Sequence, residues 1–269
     1  MPKIKSTPKK ATKTVVKKPS KAPAERMNLK DAMSALEKAG SAQTRKTYAR
    51  HGVTGPMFGV SFATLKALYK RIKVDQELAE ALWSSGNFDA RNLAVKIADP
   101  AGISPRELDR WAATPTARMC GGYVGYLTAE SPHGRAKADK WLAASDETTR
   151  SAAWCLVGAL AMIDETIADS WFVDRLAEIE NGIRSAPNAH RYHMNGALIA
   201  IGGRNAALRK AATAAAKRIG AVDVDHGDTD CKTPDAVEYI EKNWARAKSG
   251  GFDSPAAHER SRESMRTRC

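Results

Sequence analysis

Apolar residues recur along this chain every three to four positions, in segments a few turns long separated by short polar turns. That period puts the apolar side chains on one face of an α-helix. Behind Ser61, the residues Phe62, Leu65, Leu68, Tyr69 and Ile72 keep this spacing, while Lys66, Lys70 and Lys73 recur on the opposite side. The same pattern predicts helices near 28–39, 42–50, 76–85, 88–98, 105–113, 116–129, 134–144, 147–162, 167–180, 188–202, 205–219 and 235–248. Punctuation supports them: Gly40 stops the first, and Ser104-Pro105-Arg106-Glu107 combines an N-cap, Pro at the first helical position and Glu at the third. Ser61, Asp75, Asn87 and Asp146 are further candidate caps. A period of two is nearest at Val222–Asp225, which is too short for a strand. The expected fold class is all-α.

The pattern also repeats on a larger scale. Leu82-Trp83 closes one element, a polar turn follows, and Arg91 enters an Ala/Leu-rich helix; Trp111 to Arg118 and Trp141 to Arg150 echo it. Trp83, Trp111 and Trp141 lie 28 and 30 positions apart, about one helix pair. Units of this length that bury their apolar faces by stacking on their neighbours build a solenoid.

Composition changes this picture mainly at the ends. Of 269 residues 43% are hydrophobic and 17 are aromatic, so a helical core dominated by Ala and Leu is expected. No apolar run approaches the ~18 residues of a membrane span, and Lys stands where a secretion signal needs an apolar stretch. Cys120, Cys155, Cys231 and Cys269 show neither CxxC nor zinc spacing, which points to unpaired thiols in a reducing, cytoplasmic setting. The net charge is +13, of which residues 1–24 carry +8, residues 245–269 carry +3, and the rest only +2. The organisation expected is a disordered Lys/Pro-rich tail over 1–24, a helical repeat domain over 27–248, and a flexible basic tail over 249–269. Thr7-Pro8-Lys9-Lys10 and Lys17-Lys18-Pro19-Ser20-Lys21 resemble tails of linker-histone-like nucleoid proteins. They read either as solubilising segments or as non-specific DNA anchors, with polyanions the natural partner.

Phe58-Gly59-Val60-Ser61 followed by Leu65-Lys66, and Leu78-Ala79-Glu80-Ala81-Leu82-Trp83 with Gly86 and Ala90-Arg91, resemble the HEAT-like-repeat DNA alkylation repair family. The resemblance spans roughly 42–220, and Asp225-His226-Gly227 through Tyr239-Ile240 is similar to one branch of its relatives. It implies a HEAT-like solenoid whose basic concave groove holds duplex DNA, with no cofactor. In active members it implies a Trp and an Asp one turn apart in the third helix pair, an Arg opening the fourth, and a later Trp. A carboxylate there stabilises the sugar cation as an alkylated base leaves, and aromatic faces support the cationic base. This chain departs from that pattern. Ala117 to Tyr126 holds neither Trp nor carboxylate, and Asn195 to Ala200 holds no Trp; Arg150 alone has a counterpart. An apolar segment supplies no negative charge for that chemistry.

The candidate catalytic residues are therefore Arg150, Tyr123 and Tyr126, with Glu130 and Asp146 as nearby acids. Tyr123 and Tyr126 share a helix face beside Gly121, Gly122 and Gly125, and read either as core packing or as rings stacking on a base. The glycines imply tight packing or a space left for something else. Arg45, Lys46, Lys66, Lys70, Lys73, Arg204 and Arg209 are the candidate DNA-binding residues, each weighed against a merely solvated face. His190 and His193 share a face and read as surface or capping residues, groove contacts or, lacking a third ligand, a metal pair; no metal is expected. Asp223 to Asp230 fails the EF-hand spacing and reads as a turn. The expectation is a DNA-binding solenoid, with a monomer favoured and no membrane partner. Two activities stay open: excision of alkylated bases by N-glycosidic hydrolysis, or service as a non-enzymatic scaffold or nucleoid-associated protein.

Overall fold

Polar side chains just ahead of each apolar run start the helices. Ser61, Asp75, Ser104, Asp146, Asn205 and Asp235 each accept a hydrogen bond from the backbone N–H three residues on. Asn87 accepts from the N–H groups of Asp89 and Ala90. Each cap satisfies donors that a helix start leaves without partners. The structure, a computed structural model, describes residues 26–116 and 118–268, with residues 118–120 by their backbone alone. The tail expected over 1–24 lies outside the described residues.

The first half of the chain forms α1 (Leu29–Ala39), α2 (Ala42–Arg50), α3 (Phe62–Ile72), α4 (Gln76–Ser84), α5 (Phe88–Ile97), α6 (Pro105–Ala112) and α7 (Arg118–Ala129). The second half forms α8 (Gly134–Leu142), α9 (Glu147–Ile163), α10 (Asp169–Gly182), α11 (Asn188–Gly202), α12 (Ala206–Ile219), α13 (Ala236–Ser249), α14 (Pro255–Arg260) and a 3-10 turn at Met265–Thr267. Among the described residues there is no strand. The helices stack in chain order: α5, α7, α9 and α11 form one row, each packed on the next, and α4, α6, α8, α10 and α12 back it.

The tryptophan repeat is the spine of this stack. Trp83, Trp111 and Trp141 are each 1% exposed, and the first two rings stack at 4.4 Å with planes 7° apart. Trp141 Nε1 donates to Asp109 at 2.7 Å; one unit on, Trp171 Nε1 donates to Asp139 at 3.0 Å. These two successive junctions thus share the same indole-to-carboxylate bond. Burial opposes ionisation of Asp109, but hydrogen bonds from Lys137, Lys140 and Trp141 outweigh it and hold its carboxyl below the ordinary range. The Arg26 guanidinium does the same for Asp75.

A carboxyl depressed in the folded state contributes stability that is present above its unfolded pKa of ~3.9 and is lost as pH falls through the folded value. The Tm is therefore expected to fall on acidification below about pH 4, and by less in Asp109→Asn. Thermal scans from neutral to strongly acid pH check this; an acid limb unchanged by Asp109→Asn would acquit this carboxyl as a source.

The flexible tail expected over 249–269 is instead a packed strap. Ala256 is fully buried, and its N–H donates to the Gly203 carbonyl at 3.0 Å. α14 lies on α9, where Arg260 donates to the Met162 carbonyl and pairs with Glu165 at 3.0 Å. The turn at Met265–Thr267 then reaches α5 and α7. Arg266 is 4% exposed; its Nη1 donates to the carbonyls of Val95 at 2.8 Å and Lys96 at 2.6 Å, and its Nε to Glu130 at 2.8 Å. Lys96 Nζ donates in return to the Arg266 carbonyl at 3.0 Å. The last carbonyls of a helix lack partners and carry the negative end of its dipole. Arginines that a charge count assigns to solvent are held there as caps.

Candidate nucleic-acid interface

Small residues bring the middle of the helix row together. A Cβ on Gly125 of α7 would stand 2.8 Å from Cys155 Cβ and 2.9 Å from Leu156 N, both on α9. On α9, a Cβ on Gly158 would meet Ala197 of α11 at 3.4 Å. Tight packing therefore explains Gly125, whereas a Cβ on Gly196 would meet nothing within 4 Å. The three helices form the floor of a pocket of about 960 Å³. Tyr48, His51 and Phe62 border it on one side, His226, Cys231 and Lys232 on another, and Met265 and Arg268 of the strap at its end.

The loop after α12 forms one wall of this pocket. Asn188 holds Asp225 through two hydrogen bonds of 2.8 Å, Arg191 donates to the Asp223 carbonyl at 2.8 Å, and Asn195 Nδ2 donates to the Pro234 carbonyl at 2.9 Å. So anchored on α11, the loop runs across to α2, where a Cβ on Gly227 would lie 3.6 Å from the Arg50 carbonyl. The Asp/Gly-rich segment is a turn, with Gly227 at φ +62°. The loop thus links α11 to α2 beside the pocket.

Tyr123 and Tyr126 sit together in it, edge to face at 5.9 Å, with Lys96 Nζ 4.0 Å above the Tyr123 ring. They are half-buried pocket rings. Burial, with Cys155 and Tyr123 adding to it, pushes the Tyr126 hydroxyl well above its ordinary pKa. Cys155 Sγ lies 2.7 Å from His193 Nδ1, and burial pushes its thiol up to about 12. Both groups are therefore neutral near pH 7, and no Asp or Glu lines the pocket. Of the candidate acids, Glu130 is bonded to Arg266 and Ser264, and Asp146 caps α9. Among the described residues no three His, Cys, Asp or Glu side chains gather as a metal site. His190, a candidate surface or groove residue, is buried and bonded to the Glu147 carbonyl at 2.7 Å.

The remaining candidates divide. Arg150 is exposed in the first turn of α9, outside the pocket lining. Lys46, Lys66, Lys70 and Lys73 are exposed, as is Arg45, which donates to the Phe58 carbonyl at 3.0 Å. One assignment needs correction. Arg204 is 8% exposed: it donates to the carbonyls of Ala161, Asp164 and Ile167, pairs with Asp169, and lies over Phe172. It closes the end of α9 and cannot reach a ligand. Arg209 is partly exposed, pairs with Glu241 and lies over Trp244. Tyr192, Asn195 and Gly196, which the pocket brings in, follow helical spacing with Ile199; that periodicity was the signal to read.

Comparison with known proteins follows this geometry. A family model described as DNA alkylation repair enzyme matches residues 32–240. An uncharacterized protein of Listeria innocua is 28% identical over 214 residues, covering 77% of this chain and 93% of its own. A second, from Listeria monocytogenes, is 28% identical over 226 residues, covering 79% of this chain and 96% of its own. One solved structure is described as a new family of proteins related to the HEAT-like repeat DNA glycosylases, with affinity for branched DNA structures. It superposes with a TM-score of 0.75 at 33% identity, over 84% of this chain and 97% of that one. The fold is a HEAT-like repeat.

Proposed function

We propose that this chain, which belongs to the DNA alkylation repair enzyme family, binds branched DNA without the family's carboxylate-assisted base excision. The observation that carries the second half is the pocket's lining. A glycosidic bond that breaks through a sugar cation needs negative charge beside it. The pocket is lined by tyrosines, histidines, a neutral thiol, an amide, Lys232 and Arg268, with no Asp or Glu among its lining residues, and the candidate acids Glu130 and Asp146 are engaged elsewhere. Support for the first half comes from the related solved structure, which is described as having affinity for branched DNA structures. The exposed Lys66, Lys70 and Lys73 supply phosphate contacts outside the pocket, and the basic tail adds non-specific attraction.

Gel shifts at physiological salt are expected to show tighter binding to a three-way junction than to a duplex of equal length. Removing residues 1–24 is expected to weaken both and keep the preference. Replacing Lys66, Lys70 and Lys73 together by Ala is expected to reduce the slope of log K against log salt by about 2–3. An alkylated duplex incubated with the protein is expected to release no 7-methylguanine. Release above the uncatalysed rate would overturn the non-catalytic reading, and equal affinity for duplex and junction would overturn the structural preference.

A further inference from the structure

The pocket over α7, α9 and α11 holds about 960 Å³, the size of a small-molecule site rather than of a double helix. Its walls are aromatic, with Phe62, Tyr123, Tyr126 and Tyr192 among the lining residues. Its floor has room, because a side chain at Gly196 would project into open space. Its polar lining includes His51, His193 and His226, with Lys232 and Arg268 as cations and no carboxylate among the lining residues. Asn195 lines the pocket at 1% exposure; its Nδ2 is engaged by Pro234, while its Oδ1 has no partner. A buried amide oxygen without a partner is an acceptor that suits an N–H donor.

A ligand that fits this lining is flat and aromatic and carries N–H groups. We infer that the pocket receives one unstacked nucleobase, its face on the tyrosines and its N–H edge toward Asn195. Resting on the branched-DNA reading above, the base is one at the branch point. There stacking and pairing are already interrupted, so extrusion costs less than from a continuous duplex. Base-to-ring stacking tolerates any sequence because every base has a π-face. The pocket thereby converts an interrupted stack into affinity without reading sequence.

The test compares two three-way junctions, identical except that the unpaired branch nucleotide carries 5-iodouracil or is abasic. The full chain is expected to bind the base-bearing junction about tenfold more tightly, and irradiation is expected to crosslink the base to Tyr123, Tyr126 or Tyr192. Gly196→Leu adds a side chain to the pocket lining at a position where a Cβ meets nothing within 4 Å, and it raises helix propensity. It is expected to abolish the difference and leave the abasic junction's affinity unchanged. If the two junctions bind equally and the crosslink falls outside the pocket, the base site is wrong while junction binding stands. If junctions bind no better than duplex, the branched-DNA reading is what fails, and adenosine decides the pocket. Adenosine binding that Gly196→Leu removes keeps a nucleobase site served by free nucleosides; no adenosine binding overturns it.

Discussion

Replacing Arg266 by Ala is expected to lower the stability of the domain by about 3–5 kcal/mol, the cost of stripping one partner from a buried ion pair. The guanidinium ends on the Glu130 carboxylate and on two carbonyls of α5, and the side chains of the pair are 5% and 15% exposed. Ala leaves that carboxylate poorly solvated and returns the carbonyls of Val95 and Lys96 to their unpartnered state. Arg266→Lys keeps the charge but not the planar fork that serves three acceptors, and is expected to recover only part of the loss. Urea unfolding of both variants measures this. A loss under 1 kcal/mol for Arg266→Ala, with an unchanged m-value, would mean that the strap is held by α14 alone.

Asp89→Ala is expected to cost at least about 3 kcal/mol, because three backbone donors lose a charged acceptor together. Asp89 is fully buried, and its carboxylate accepts from Phe58 N at 2.6 Å, Gly59 N at 3.0 Å and Val60 N at 2.8 Å. It fixes the loop between α2 and α3. Gly59 within that loop has φ +78°, and a Cβ there would stand 2.6 Å from the Ser41 carbonyl. Gly59→Ala is expected to fail by strain where Asp89→Ala fails by lost bonds. Hydrogen exchange distinguishes local from general damage: early exchange at Phe58, Gly59 and Val60 with the tryptophan stack still protected is the outcome expected. Since this loop leads into Phe62, the change is also expected to weaken any ligand in the pocket.

Much of this molecule was legible in its sequence, and the division between what was and what was not has a physical basis. Helix ends were readable because capping is local: Asp75, Asn87, Ser104 and Asp146 act on groups within three residues of themselves. The repeat was readable because stacking an identical unit calls for the same buried indole at the same place. Phe58 to Ser61 was visible as a motif, but its dependence on Asp89 joins positions about thirty apart and has no local trace. The fate of the cations was hardest to read. Arg204 and Lys66 are alike in sequence, and only the fold shows that one meets three backbone carbonyls and the other water. The strap was missed for the same reason. Its helix, Pro255–Arg260, is a single short element, and a basic composition carries no mark that separates a capping arginine from a solvated one.

The Arg266 contacts span 170 positions of sequence. A stack of neighbouring units otherwise assembles from near contacts, and on the ribosome it gathers from its N-terminal end while the rest is still being made. Here α5 waits for a partner made 170 residues later, and α7 waits for the same residue. The nascent chain therefore stays partly unfinished until Arg266 has left the ribosome, and until then the first-built half lacks its clasp.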